Sequence, residues 1–157
     1  MLPENAIALD ARLSAIRDLA GSCARFADIG ADHGRLGAHM LLHGLCARAQ
    51  LADISAASLI KARRLIYGLG LTDRVDFCVG DGAQALKERP DVAVIAGMGG
   101  QTIAGIVERG RDILSGSRLV LQPNVAAPEL RARLQAARFR ITDEVIARDG
   151  RRLSTAA

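Results

Sequence analysis

A chain of 157 residues fits one folded domain, residues 1–157, and is long enough to bury a core without disulfide or metal staples. Half of its residues are apolar, chiefly Ala, Leu, Ile and Val, and only 3% are aromatic, a composition suited to buried strands under small-residue helices. The formal net charge is +4, with basic clusters at Lys61, Arg63 and Arg64 and again at Arg131, Arg133, Arg138, Arg140, Arg148, Arg151 and Arg152 that suit either a polyanion or a solvated surface.

No apolar run reaches the roughly 18 residues of a membrane span. The opening MLPENAIALDARL carries early acids and no unbroken apolar stretch, which argues against a secretory leader. Cys23, Cys46 and Cys78 are odd in number and show no close pairing, so they read as reduced thiols. The expectation is a cytoplasmic protein with no metal centre and no membrane contact.

In chain order, Leu9, Leu13, Ile16 and Leu19 share one face of a helix over 9–20. Arg25 to Ile29 reads as a first strand, and His33 to His43 as a helix closed by Gly44. Arg48 to Ile54 is a second strand. Ser55 then caps a helix to Tyr67, broken by Gly68 and Gly70. Val75 to Val79 is strand three, followed by a short helix over Gly82 to Lys87. Val92 to Ala96 is strand four, with a glycine cluster and a helix from about Gln101 to Leu114 behind it. Arg118 to Leu121 is strand five, and Pro128 opens a helix to about Ala137. Phe139 to Ala147 alternates as a sixth strand before a turn at Asp149-Gly150. This alternation predicts an α/β, doubly wound, mostly parallel sheet. A last antiparallel strand within residues 151–157 would be short or incomplete, because Leu153 is the one large apolar residue there. Its unpaired groups would leave a sheet edge open to a second copy of the chain, a homodimer.

Ligands of open α/β sheets bind beyond the carboxyl ends of the strands. Strand one ends in Asp28-Ile29-Gly30-Ala31-Asp32-His33-Gly34, strand two in Asp53, strand three in Gly80-Asp81-Gly82 and strand four in Gly97-Met98-Gly99-Gly100. Each acid alone is accounted for by helix capping. Three acids at regular β-α spacing, Asp28, Asp53 and Asp81, point to a shared ligand. Asp53, 23 residues after Gly30, suits two ribose hydroxyls. The loop carries Asp32 where a dinucleotide fingerprint wants its second glycine. A carboxylate about 4 Å from a phosphate costs about 1 kcal/mol in water and more when partly buried. S-adenosylmethionine (SAM) has no phosphate but carries an ammonium and a sulfonium, so an acidic loop favours it. Asp81, with the Gly82 amide nearby, suits its adenine.

The strings DIGADHG, GDG, IAGMGG and LQPN, in this order and spacing, resemble the bacterial tRNA adenine-22 N1-methyltransferases over roughly residues 10 to 150. The specific part is Val94 to Gly100 with Leu121-Gln122-Pro123-Asn124. The resemblance implies a Rossmann-like methyltransferase sheet, SAM as cofactor and tRNA as partner. Members of that family continue past the equivalent of Asp149-Gly150 into a full apolar strand and a helical, coiled-coil domain that helps hold tRNA. The present sequence stops at Ala157.

The cofactor positions expected on these grounds are Arg12, Asp28, Gly30, Asp32, His33, Gly34, Asp53, Ile54, Asp81, Gly82 and Gly97. Met98, Gln122 and Asn124 are expected around the acceptor, the two carboxamides reading the base edge. Adenine N1 attacks through a free lone pair, so alignment and water exclusion matter more than a base catalyst. The base must be unpaired or flipped to expose N1. Rival readings are a SAM methyltransferase with a small-molecule or protein acceptor, a non-catalytic SAM-binding module, and a nicotinamide oxidoreductase, the last disfavoured by Asp32.

Overall fold

The computed structural model describes residues 7–149 and 152–156. Five parallel strands, β1 (Cys23–Ile29), β2 (Cys46–Asp53), β3 (Val75–Val79), β4 (Val92–Met98) and β5 (Arg118–Pro123), stand in the order β3-β2-β1-β4-β5. The helices are α1 (Ala11–Ala20), α2 (Arg35–Leu42), α3 (Ala56–Gly68), α4 (Gly100–Arg109), α5 (Arg111–Leu114) and α6 (Ala127–Ala136). Alternate strand residues face opposite sides of a sheet, and here they sort into two cores. Phe26, Val92, Val94 and Val120 pack with Ile16, Met40, Leu59 and Ile66 of α1, α2 and α3. Their neighbours Ala27, Ala93, Ile95 and Leu121 pack with Ile103, Val107, Leu114, Leu130 and Leu134 of α4, α5 and α6. Both faces are therefore covered, as the near-continuous apolar strands required.

The helix starts follow from capping. Asp10 accepts from the Leu13 amide at 2.7 Å, and the Ser55 hydroxyl accepts from the Ser58 amide at 3.2 Å. Ser55→Ala should lower stability by about 1 kcal/mol, read as a fall in the urea midpoint at constant slope. No change would mean that the first turn of α3 is held by packing alone.

Four sequence expectations are corrected. The helix expected over Gln101 to Leu114 is two helices broken at Gly110, where a Cβ would run into Ala83. The helix expected over Gly82 to Lys87 is a 3-10 turn, Gly82–Ala85, because Leu86 is already extended on the approach to Pro90. Gly68 is the last residue of α3 rather than its breaker, and Gly70, at φ 68°, turns the chain. The sixth strand, β6 (Val145–Asp149), begins six residues later than expected. Phe139 is apolar because it packs against the core beneath α6, with its amide on the Leu134 carbonyl at 2.9 Å.

A seventh strand, β7 (Arg152–Ala156), is five residues long and pairs antiparallel with β6, from Val145↔Ala156 to Asp149↔Arg152. Among the described residues the pair forms a ladder separate from the five-stranded sheet, with β7 beside β5. The expected turn at Asp149-Gly150 involves Gly150 and Arg151, which lie outside the described residues.

Candidate active site

The strand order reverses between β1 and β4, and a crevice opens at the carboxyl ends of strands on either side of such a point. Two cavities of about 580 and about 380 Å³ lie there and share Gly30, Asp32, Ala96 and Gly97. Arg12, Asp28, His33 and Arg35 line the larger, which mixes charges. Asp53, Ile54, Asp81, Gly82, Met98 and Ile106 line the smaller, whose side chains are mainly apolar apart from its carboxylates and Thr102. The two together are of the size of a nucleoside with a charged tail.

The loop after β1 is built by the backbone. The amides of Gly30 and Ala31 both donate to the Ala52 carbonyl, at 2.8 and 2.9 Å, and fold the chain back across β2. Gly30 has φ 79°, and a Cβ there would strike the Met98 methyl. Asp32 follows with φ 48° and is exposed, 3.7 Å from His33 Nε2. Gly34, at φ 73°, caps α2. The Asp53 carboxylate ties this loop to the next: one oxygen accepts from the Asp32 amide at 3.1 Å, the other from the Ser55 amide at 2.8 Å. Each carboxylate oxygen keeps acceptor capacity towards the cavity.

Asp28 is buried, at 6% exposure. Burial pushes its pKa from an ordinary 3.8 up to about 7; the Arg12 guanidinium pulls against this, while Asp53 and Asp32 add to it. An acid so perturbed in a cleft is a candidate functional residue. Arg12 is half-buried in the cavity wall and donates to Gln122 Oε1 at 3.0 Å.

Gln122 is wholly buried, and both ends of its carboxamide are used inside the protein. Its oxygen accepts from Arg12 and from the Gly97 amide at 3.0 Å, and its nitrogen donates to the Pro123 carbonyl and to Asn124 Oδ1, both at 3.2 Å. The expectation that Gln122 reads the base edge is corrected: it joins β4, β5 and α1 behind the cavities. Asn124 is exposed beside Met98, whose carbonyl accepts the Asn124 amide at 2.8 Å. Behind Met98, α4 starts against the loop after β5, and a Cβ at Gly100 would strike the Ala126 carbonyl oxygen.

At the far wall, Ile54 is 74% exposed despite its side chain, an apolar surface held open over the smaller cavity. Asp81 is exposed and pairs with Arg109 at 3.3 Å. Sequence reasoning missed Arg109, as well as Arg35, Asp10, Thr102 and Ile106 in the walls. Arg35, Thr102 and Ile106 sit in the first or second turn of helices after β1 and β4, and Asp10 caps α1. That placement was the one available signal.

Comparison with known proteins agrees with this geometry. A methyltransferase domain family model matches residues 9–155. A tRNA (adenine(22)-N(1))-methyltransferase of Bacillus subtilis (strain 168) is 36% identical over 144 residues, 90% of this chain and 60% of that protein. A solved B. subtilis tRNA methyltransferase superposes with a TM-score of 0.91 at 32% identity, over 96% of this chain and 65% of that one. A Streptococcus pneumoniae protein solved in complex with S-adenosyl-L-methionine gives 0.90 at 28% identity, over 95% of this chain and 71% of that one. The chain thus spans 60% of the length of the Bacillus relative. A match across the two cores and every strand-end loop of the crevice places the chain in the methyltransferase-domain family.

Proposed function

We propose that the chain is a SAM-dependent methyltransferase whose acceptor is N1 of an adenine in tRNA. The observation that carries the reading is the pair of joined cavities at the β1/β4 reversal, one acidic and mixed in charge, the other apolar with Asp53 and Asp81 at its rim. The residues fit the cofactor. Asp53, held by two amides, suits the ribose hydroxyls, and Ile54, Ile106 and Met98 suit the adenine faces. Asp81 suits the adenine amino group. Arg12 suits the carboxylate and Asp28 the ammonium of the amino-acid tail. A dinucleotide fits less well, because Asp32 lines both cavities where a pyrophosphate would lie.

SAM, when bound, supplies an electrophilic methyl on a sulfonium leaving group. The protein's part is alignment: adenine N1 carries its own lone pair, so the site needs no general base, and orienting the ring and excluding water supply the rate. The relatives' names support tRNA as acceptor, and so does the basic charge of the chain, formally +4.

The test is transfer of labelled methyl from SAM into bulk tRNA, followed by nucleoside analysis. The expected product is N1-methyladenosine, with a tRNA affinity that falls steeply as salt rises. Methyl transfer to a small molecule or protein but not to RNA would overturn the acceptor. SAM binding without any transfer would make the chain a binding module.

A further inference from the structure

We infer that Asn124 is a specificity-determining residue that presents its amide NH2, not its carbonyl oxygen, to the acceptor base, an orientation imposed by Gln122. This rests on the adenine-acceptor reading above. Carboxamide oxygen and nitrogen look alike in outline, so an Asn orientation has to be deduced from its partners. Here three groups of fixed character decide it. The Gly97 amide and the Arg12 guanidinium can only donate, and both reach one end of Gln122 at 3.0 Å, so that end is the oxygen. The Pro123 carbonyl can only accept, and it meets the other end at 3.2 Å, so that end is the nitrogen. With Gln122 fixed and fully buried, the group of Asn124 that meets its nitrogen at 3.2 Å must be Oδ1.

The planarity of the carboxamide then turns the Asn124 NH2 away from Gln122, on an exposed residue whose own backbone amide is bonded to the carbonyl of Met98, and Met98 lines the smaller cavity. A donor there recognises an acceptor nitrogen of the ring, N3 or N7. It opposes the exocyclic amino group, itself a donor. A base held this way offers N1, whose lone pair is ready, rather than the amine, which would need an acceptor to take up its proton. Gln122 thus carries the orientation of a buried cluster out to the substrate edge.

The experiment measures kcat/KM for methyl transfer to tRNA with adenine, 3-deaza-adenine or 7-deaza-adenine at the modified position, using the native chain, Asn124→Ala, Asn124→Asp and Gln122→Glu. SAM affinity and melting temperature are measured in parallel. Replacing a ring nitrogen also changes N1 basicity, and the comparison of variants cancels that effect. The native chain should lose about tenfold on one of the two analogues, the equivalent of one lost hydrogen bond. Asn124→Ala and Asn124→Asp, both without the donor, should be slower on adenine and indifferent to that same analogue, with SAM affinity unchanged. Gln122→Glu keeps an oxygen towards Arg12 and Gly97 but cannot donate to Asn124. It should lose the discrimination in part.

Equal discrimination by the native chain and both Asn124 variants overturns the inference, as does a native chain indifferent to both analogues. If no RNA accepts a methyl, the acceptor reading itself fails and the Asn124 role falls with it.

Discussion

Asp53→Ala is expected to weaken SAM binding ten- to a hundredfold while leaving the chain folded. A hydrogen bond to a charged acceptor contributes about 1.5–3 kcal/mol, and each 1.4 kcal/mol is a factor of ten in affinity. The carboxylate is fixed before any ligand arrives, by the amides of Asp32 at 3.1 Å and Ser55 at 2.8 Å. Little ordering is left for binding to supply. The substitution also releases the loop after β1, which lines both cavities through Gly30 and Asp32, so the loss should lie toward the upper end of that range. Titration calorimetry with SAM measures it, and urea unfolding separates a binding effect from a folding one. An affinity within twofold of the native chain would remove Asp53 from the ribose contact and leave the smaller cavity without its principal acceptor. Asp53→Asn should fall between the two, because it keeps one acceptor oxygen but turns an NH2 toward an amide that needs an oxygen.

The sheet was legible because period and punctuation agree in this sequence. All five parallel strands were expected within two residues of their observed ends: β1 and β2 begin two residues earlier, and β4 and β5 run two residues further. The strand-end acids were legible for the same reason: a parallel sheet delivers each β-α junction to one edge, so Asp28, Asp53 and Asp81 had to meet there. Elements whose form depends on tertiary packing were not legible. Gly110 breaks a helix because Ala83 from another element stands against it. Phe139 imitates a strand residue because it is partly buried against the core that α6 covers. Gln122 imitates a substrate contact, and only its four partners, from α1, β4, Pro123 and Asn124, show that nothing of it is left to face a ligand. Arg12 was ambiguous between surface and site, because helical spacing cannot tell which end of α1 overhangs the crevice.

Asp28→Asn should stabilise the chain at pH 8 and weaken SAM binding together. In the fold burial holds the Asp28 proton until about pH 7, whereas an unfolded carboxyl releases it near 3.8. Below 3.8 both states are protonated and the group has no effect on the balance. Between 3.8 and about 7 the unfolded chain ionises while the folded chain does not, so stability falls as pH rises. Above about 7 the full penalty is present, on the order of 4 kcal/mol for that separation. An asparagine has nearly the same shape and no charge to desolvate, so the variant should gain roughly 2–4 kcal/mol at pH 8, the attraction to Arg12 being already contained in the net pKa of about 7. Asp76, Asp91 and Glu108 titrate with the opposite sign, their pKa values lowered by Lys87, Arg25 and Arg133. Their effect falls mainly at acid pH, and the difference between native chain and variant removes it. A cationic ligand reverses the balance at Asp28, because an ammonium beside the carboxylate favours its ionised form, so binding to the native chain should release a proton below pH 7 and tighten as pH rises. The variant should bind SAM at least tenfold more weakly, with an affinity that has lost the pH dependence contributed by the Asp28 carboxyl. Urea unfolding and calorimetry in buffers of different ionisation enthalpy read the two effects. If the native chain is as stable as the variant at pH 8 and, below pH 7, takes up SAM without releasing a proton, Asp28 is not the buried acid of a cation site, and the larger cavity must hold the tail of its ligand by Arg12 and Asp32 instead.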